Sequence, residues 1–372
     1  MADQTELAKA VSDNQVIDVH THVYLPKYME MMKGRTELPF VRTYDGQERL
    51  VILPEEDVEG GAGGRPIHQH YWDVNEKLAW MDTHRIDAAV ISLANPWLDF
   101  MNGEEAIPVA RELNVEMDDI CANSNGRFFG FGCLPSMSVE GCLTELDRVA
   151  ESKYLRGCII GSNGLGKGLD DPALDAIWRK ASDLNIPFFL HPHYGIGGND
   201  LFSGDKYGHS LFLSHGFPFE TCTAVSKMVL SGVFEKFPKL QFLLAHSGGV
   251  LPFLAGRIDG CALDDPKLAG RLPKKPSEYL QNLYYDAVNY HAPAMTCTAD
   301  FVGTDRMMFG TDHPFSIADP QQNYTAMGEA EKHPRRGGLG GQLTAEEVTK
   351  ICSANAVRFL GLDGAYKAPS KP

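Results

Sequence analysis

Two histidines, one residue apart, end a run of β-forming residues: positions 16–24 read VIDVHTHVY. In a strand, side chains i and i+2 share a face, so His20 and His22 would point together. Alone they could be a pair of metal ligands or a polar strand end. Three more apolar runs end in groups of matching chemistry. PFFLHPH gives His191 and His193, LQFLLAHSGG gives His246, and MMFGTDHPF gives Asp312 and His313. Imidazole nitrogens plus a carboxylate suit Zn²⁺ or a similar borderline divalent ion, and a catalytic centre keeps one position open. The set His20, His22, His191 and Asp312 would do this. Zn²⁺ is expected, and a similar ligand set tolerates Mn²⁺.

The other histidines read differently. His68 and His70 are also i and i+2, but in a Pro/Gly context that points away from ligation. His193 follows Pro192 and is expected to support the site from outside it. His313 should point opposite to Asp312 and make a structural hydrogen bond. His84, His291 and His333 read as surface or helix residues, and Arg257 as a salt-bridge partner on a helix. Lys167 lies six residues beyond the fourth run, whose RGCIIGSN core has no lysine that could bridge two ions. One ion per chain is therefore expected rather than two. GSNGLGKG at 161–168 imitates a phosphate loop, but Gly168 stands where the motif needs Ser or Thr.

The elements that must hold these groups alternate along the chain. Eight short apolar runs, at 16–20, 87–93, 128–134, 157–161, 187–191, 240–246, 283–288 and 307–311, are separated by amphipathic segments at 75–85, 105–124, 138–153, 171–185, 218–236, 249–262 and 292–303. Near-continuous apolar strands alternating with helices mean a parallel sheet covered by helices. Eight such units predict an α/β fold, a (β/α)8 TIM barrel, whose chemistry gathers at the C-terminal strand ends. A last helix is expected over 343–360, with Thr344 and Glu347 as a capping box. Two long insertions stand after the first and fifth strands, at 24–74 and 194–217. Both fall on the catalytic face, where long ordered loops are more often lids than spacers. A single domain over 1–372 is expected, with 1–15 as a tail.

The 372 residues carry 34 Lys+Arg against 49 Asp+Glu, a net charge of −15, which argues against nucleic acid or an anionic membrane as partner. No apolar run approaches a membrane span, and the N-terminus has no apolar signal core. The eight cysteines are scattered without a CxxC, which fits reduced thiols in a cytoplasmic protein.

DVHTH at 18–22, HP at 191–192, AHSGG at 245–249 and FGTDHP at 309–314, in this order, resemble the amidohydrolase superfamily and its decarboxylase branch. That branch is typified by aminocarboxymuconate-semialdehyde and γ-resorcylate decarboxylases. Longer stretches, among them GRPIHQH, ISLANPWLDF, FLHPHYG and LAHSGGVLPFLAGRI, are similar to its fungal uracil-5-carboxylate (iso-orotate) decarboxylases. The resemblance implies a homodimeric carboxy-lyase that releases CO₂ from 5-carboxyuracil to give uracil. It also implies His20, His22, His191 and Asp312 as zinc ligands, with Arg65, Asn95, Phe217, His246 and Phe315 around the substrate. Asp312 would give a proton to C5, and His246 would bond the carboxylate or polarise the carbonyl. A salicylate-type aromatic acid is the alternative substrate. Hydrolysis of a lactone or amide, with Asp312 deprotonating a water, is the alternative reaction.

Overall fold

The computed structural model describes residues 15–58, 60, 63–135, 138–164, 166–193, 204–315, 317, 322–323, 326–327 and 343–362. Residues 1–14 of the tail expected at 1–15, residues 194–203 of the second insertion and His333 lie outside them.

All eight apolar runs are strands of one parallel sheet. The first is β1 (Ile17–Val23), and three short strands of a separate antiparallel sheet follow it: β2 (Phe40–Tyr44), β3 (Gln47–Val51) and β4 (Arg65–Pro66). The large sheet continues with β5 (Ala88–Leu93), β6 (Phe128–Cys133), β7 (Leu155–Gly161), β8 (Phe188–His191), β9 (Phe242–Leu244), β10 (Tyr284–Asp286) and β11 (Met307–Met308). Neighbours pair in the order β1-β5-β6-β7-β8-β9-β10-β11. β11 then returns to β1. The Val19 amide donates to the Phe309 carbonyl at 3.0 Å, the His22 amide donates to His313 O at 2.7 Å, and Thr21 bridges His313. The result is a nearly closed (β/α)8 barrel.

Both faces of these strands are covered, which is why they read as continuous apolar runs. All six residues of β5 and of β6 are buried, and Phe131, Phe188, Phe189 and Phe242 fill the interior or pack under the helices. Several helices begin at a side-chain cap. Asn102 accepts from the Glu105 amide, Ser138 from Gly141 and Thr344 from Glu347, each satisfying a first-turn amide. The final helix is Ala345–Phe359, with a wider π turn at Lys350–Ala354.

The stretch between β1 and the helix Val74–Thr83 holds the helix Pro26–Gly34 and the β2–β3–β4 sheet. The glycine-rich loop after β7 closes on itself. The amides of Gly164, Gly166 and Gly168 donate to Gly161 O and Asn163 O. These three donors are spent inside the loop and are not free to cradle an anion.

Candidate metal centre and active site

The side chains singled out at the strand ends meet at one point. His20, His191, His246 and Asp312 each offer a ligand atom within 4.8 Å of one another. His22 joins them, its Nε2 3.1 Å from His20 Nε2 and 3.4 Å from Asp312 Oδ1; His20 Nε2 is 3.3 Å from the same oxygen. A bulge between Asp18 and Thr21 twists β1 as it enters the site, so strand alternation alone is not what aims the two rings.

The opposite ring nitrogens settle the tautomers. His20 Nδ1 lies 2.6 Å from Asp286 Oδ2, and a carboxylate can only accept. His191 Nδ1 lies 2.8 Å from Pro192 O, again an acceptor. Ser92 Oγ donates to Thr21 O at 3.2 Å, so at 2.9 Å from His22 Nδ1 it accepts from that nitrogen. All three Nδ1 atoms therefore carry protons, which leaves the three Nε2 atoms to face inward beside the Asp312 carboxylate. Asp312 Oδ1 is buried and accepts no hydrogen bond among the described residues. Three converging Nε2 atoms beside a buried carboxylate fit a cation, and the Asp286–His20 pair is the carboxylate–histidine support such ligands use. His246 differs. Its Nδ1 is buried without a hydrogen-bond partner among the described residues, and its Nε2 is 3.8 Å from Asp312 Oδ2.

Charges follow the same logic. Burial opposes a proton on His20, but Asp286 and Asp312 outweigh it and raise its pKa to about 10. Burial and the charge on His20 push His22 down to about 4, and burial with neighbouring imidazoles holds His191 well below the usual range. Burial alone would raise Asp312, yet the His20 charge holds it well below the carboxylate range. One proton on His20 thus stands where a divalent ion would serve three imidazoles and a carboxylate at once, and ion binding would release it.

The backbone is bent to make this possible. His246, Ser247, Gly248 and Gly249 take φ of 55°, 53°, 70° and 65°, and Asp312 takes 66°. Such conformations cost about 1–3 kcal/mol each in non-glycine residues and persist only where their surroundings enforce them. Asp286 does so for the first turn. Its Oδ2 accepts from the His246 amide at 3.0 Å, and its Oδ1 accepts from Ser247 at 2.8 Å and Val288 at 3.0 Å. A Cβ on Gly248 would run into the Tyr285 ring, and one on Gly249 into Pro218 O. Asp18 holds the other turn: it accepts from the His20 amide at 3.1 Å and from the Thr311 amide and hydroxyl at 3.1 and 2.6 Å. Burial lifts its pKa to about 6.

Of the residues expected around a substrate, His246, Phe217 and Phe315 lie against the histidines of this centre. Phe217 lies 6.0 Å from the His191 ring and 6.2 Å from His246, and Phe315 lies 5.5 Å from His22. Arg65, delivered by β4, lies over Phe315 at 4.9 Å, and its buried Nη1 has no hydrogen-bond partner among the described residues. Asn95 is buried and donates to His193 O at 2.8 Å. His193 turns to Asp99, with Nε2 2.7 Å from Oδ2. His313 faces away from the centre, 2.7 Å from Lys77 Nζ through Nδ1, as its structural reading required. His68 is exposed and stacks on His70, and Arg257 is exposed.

Sequence reasoning missed Asp286, Ser92, Asp18 as an anchor, Lys77, and Tyr24, which donates to Asn95 O at 3.1 Å. For Asp286 a signal existed: an acid closing the seventh apolar run, LYYDAV, at the end where the ligands gather.

The amidohydrolase family profile matches residues 17–362. The chain is 40% identical to Metarhizium anisopliae IDCase, an iso-orotate decarboxylase; that crystal structure, in apo form, aligns with a TM-score of 0.85 over 95% of this chain and 99% of that one. It is 29% identical to the 2-amino-3-carboxymuconate-6-semialdehyde decarboxylase of Dictyostelium discoideum, covering 93% of this chain and 92% of that one. It is 28% identical to the γ-resorcylate decarboxylase of a Rhizobium species, covering 86% and 98%. With its motifs, barrel and metal-binding constellation in the positions described, this chain belongs to the amidohydrolase family.

Proposed function

We propose that this protein is a divalent-metal-dependent, non-oxidative decarboxylase that converts 5-carboxyuracil to uracil and CO₂. The reading rests on the convergence of three inward Nε2 atoms and Asp312 Oδ1, with Arg65 over Phe315 holding a buried Nη1 that has no partner among the described residues. The likeness to an iso-orotate decarboxylase over nearly the whole chain supports the pyrimidine.

In this reading His20, His22, His191 and Asp312 hold one ion, Zn²⁺ by default and Mn²⁺ by tolerance. The ion would supply Lewis acidity to one carboxylate oxygen and the adjacent ring carbonyl. The remaining work belongs to the chain. Phe217 and Phe315 sandwich the ring and exclude water, which strengthens the charges inside. Arg65 holds an anionic oxygen, and Asn95 faces the amide edge of the pyrimidine. His246, whose Nδ1 is free of protein partners among the described residues, bonds the carboxylate. C5 must be protonated before CO₂ leaves, because direct loss would produce a vinyl carbanion. Asp312 is the donor. Its carboxyl is held ionised at rest, so it takes a proton from water as substrate binds, the hydroxide leaving to solvent, and passes that proton to C5. The C–C bond then breaks, its electrons restore the C5–C6 double bond, and CO₂ departs. Proton transfer from a placed acid is worth about 10²–10⁴ in rate.

The segment 24–74 is the lid of this site, since β4 within it carries Arg65. The enzyme is a cytoplasmic homodimer in the same reading, and Phe253 and Leu263, 82% and 77% exposed on the helix Leu251–Asp264, supply an apolar face for a second copy. Sedimentation velocity reads the dimer.

A second reading keeps the chemistry and changes the acid: the likeness to γ-resorcylate decarboxylase favours a salicylate-type substrate. Comparing kcat/KM for CO₂ release from 5-carboxyuracil and γ-resorcylate separates the two. A preference for γ-resorcylate would overturn the pyrimidine assignment.

A further inference from the structure

Lys77 stands on the helix Val74–Thr83, outside the barrel wall, and only 1% of it is exposed. Burying an ammonium group is costly unless partners repay it, and a methionine or leucine would fill the space without that cost. Its Nζ donates to Thr21 Oγ1 at 2.7 Å and lies 2.7 Å from His313 Nδ1. Thr21 separates His20 from His22, and His313 follows Asp312. One amine therefore grips the residues between and beside three proposed ligands, from the side opposite the ion.

The grip falls where the barrel is weakest. β11 has only two residues, and the seam above it has the Thr21–His313 bridge rather than a regular ladder. There the Thr21 hydroxyl donates to His313 O at 2.9 Å, and the Asp312 amide donates to His20 O at 2.8 Å. Trp80, one turn along the same helix, packs on the His313 ring with centroids 3.8 Å apart. Lys77 and Trp80 thus dock one helix onto the short segment that presents Asp312.

We propose that Lys77 is a positioning residue: through Thr21 and His313 it sets the spacing of His20, His22 and Asp312 at the β1–β11 seam and so tightens their hold on a divalent ion. This rests on the metal-centre reading above. Geometry and electrostatics make opposite predictions. A cation behind the ligands repels a divalent ion, so removing only its charge would tighten binding. Removing a clamp would loosen it.

The test is Zn²⁺ affinity of chelator-stripped protein, read by competition with a chromophoric chelator. Lys77→Met keeps the stem and removes the donors. It is expected to weaken Zn²⁺ binding by about 10- to 100-fold, the usual effect of losing outer support. The control is Asn355→Ala, which loses hydrogen bonds to Thr304 O and Met307 O at the far end of β11. A distant lesion should leave Zn²⁺ affinity within about twofold of the parent. Thr21→Val removes the hydroxyl hub and gives the same readout if Lys77→Met does not fold. Parent-like or tighter binding in Lys77→Met or Thr21→Val overturns the inference, as does equal weakening in the control. A parent chain that takes up no Zn²⁺ would sink the metal reading, and the inference with it.

Discussion

Asp286 organises more of the centre than any ligand does, and Asp286→Asn separates its charge from its shape. The carboxylate accepts four hydrogen bonds: His20 Nδ1 and the His246 amide on Oδ2, and the Ser247 and Val288 amides on Oδ1. An asparagine has one acceptor oxygen, so two of those four donors must face its NH₂. The cheaper orientation keeps the oxygen on Ser247 and Val288. It leaves the His246 amide unsatisfied, at about 1–3 kcal/mol. It also turns His20 Nδ1 into an acceptor and moves the ring proton to Nε2, where it points at the ion position. Lost support of this kind costs about 10- to 100-fold in metal affinity, or about 1.4–2.7 kcal/mol. Two assays read the two effects. Guanidinium melts of chelator-stripped protein should show a loss of about 1–3 kcal/mol. Zn²⁺ competition on the same sample should show the weakened binding. A folded Asp286→Asn variant that binds Zn²⁺ like the parent would refute the tautomer argument.

Other outcomes follow from the same geometry. Asp312→Asn should abolish CO₂ release while the circular dichroism spectrum persists; near-normal turnover would remove Asp312 from its role. Gly249→Ala forces a Cβ into Pro218 O at φ 65° and should destabilise by about 2 kcal/mol or more in a denaturant melt. Phe217→Ala opens the proposed ring sandwich and should raise KM more than it lowers kcat; an unchanged KM in steady-state assays would place the substrate elsewhere. Acid should destabilise the chelator-stripped protein. His22, His191 and His313 have folded pKa values below the unfolded 6.5, so below that pH the unfolded chain binds protons the folded one refuses. Asp18, raised to about 6, binds an extra proton when folded and offsets one of the three. The net two protons cost about 1.4 kcal/mol each per pH unit, so the melting temperature should fall between pH 6.5 and 5. A flat profile there would contradict the burial of these rings as neutral groups.

The barrel was legible because its strands are buried on both faces: β5 and β6 are written almost wholly in apolar residues, and the ligands stand where such runs stop. Asp312 and His313 were assigned opposite directions from adjacency alone, and the structure turns them so. The supports were harder to read. Asp286, Ser92 and Asp18 are single side chains with no spacing that marks them, and each reaches a residue distant in sequence, such as Asp286 on His20. Lys77 sits in a helix that reads as amphipathic, and its buried end is received by Thr21 and His313, with the Asp18 charge nearby. Arg65 came from resemblance, and its place over Phe315 depends on the small antiparallel sheet within 24–74, which the Gly- and Pro-rich sequence there does not announce.

The most direct measurement is CO₂ release from 5-carboxyuracil by chelator-stripped protein as Zn²⁺ or Mn²⁺ is added back. Activity should be absent without the ion, rise linearly, and reach its plateau at one ion per chain. CO₂ release that persists in the stripped protein, or incorporation of ¹⁸O from water into product without CO₂, would contradict a metal-dependent decarboxylase.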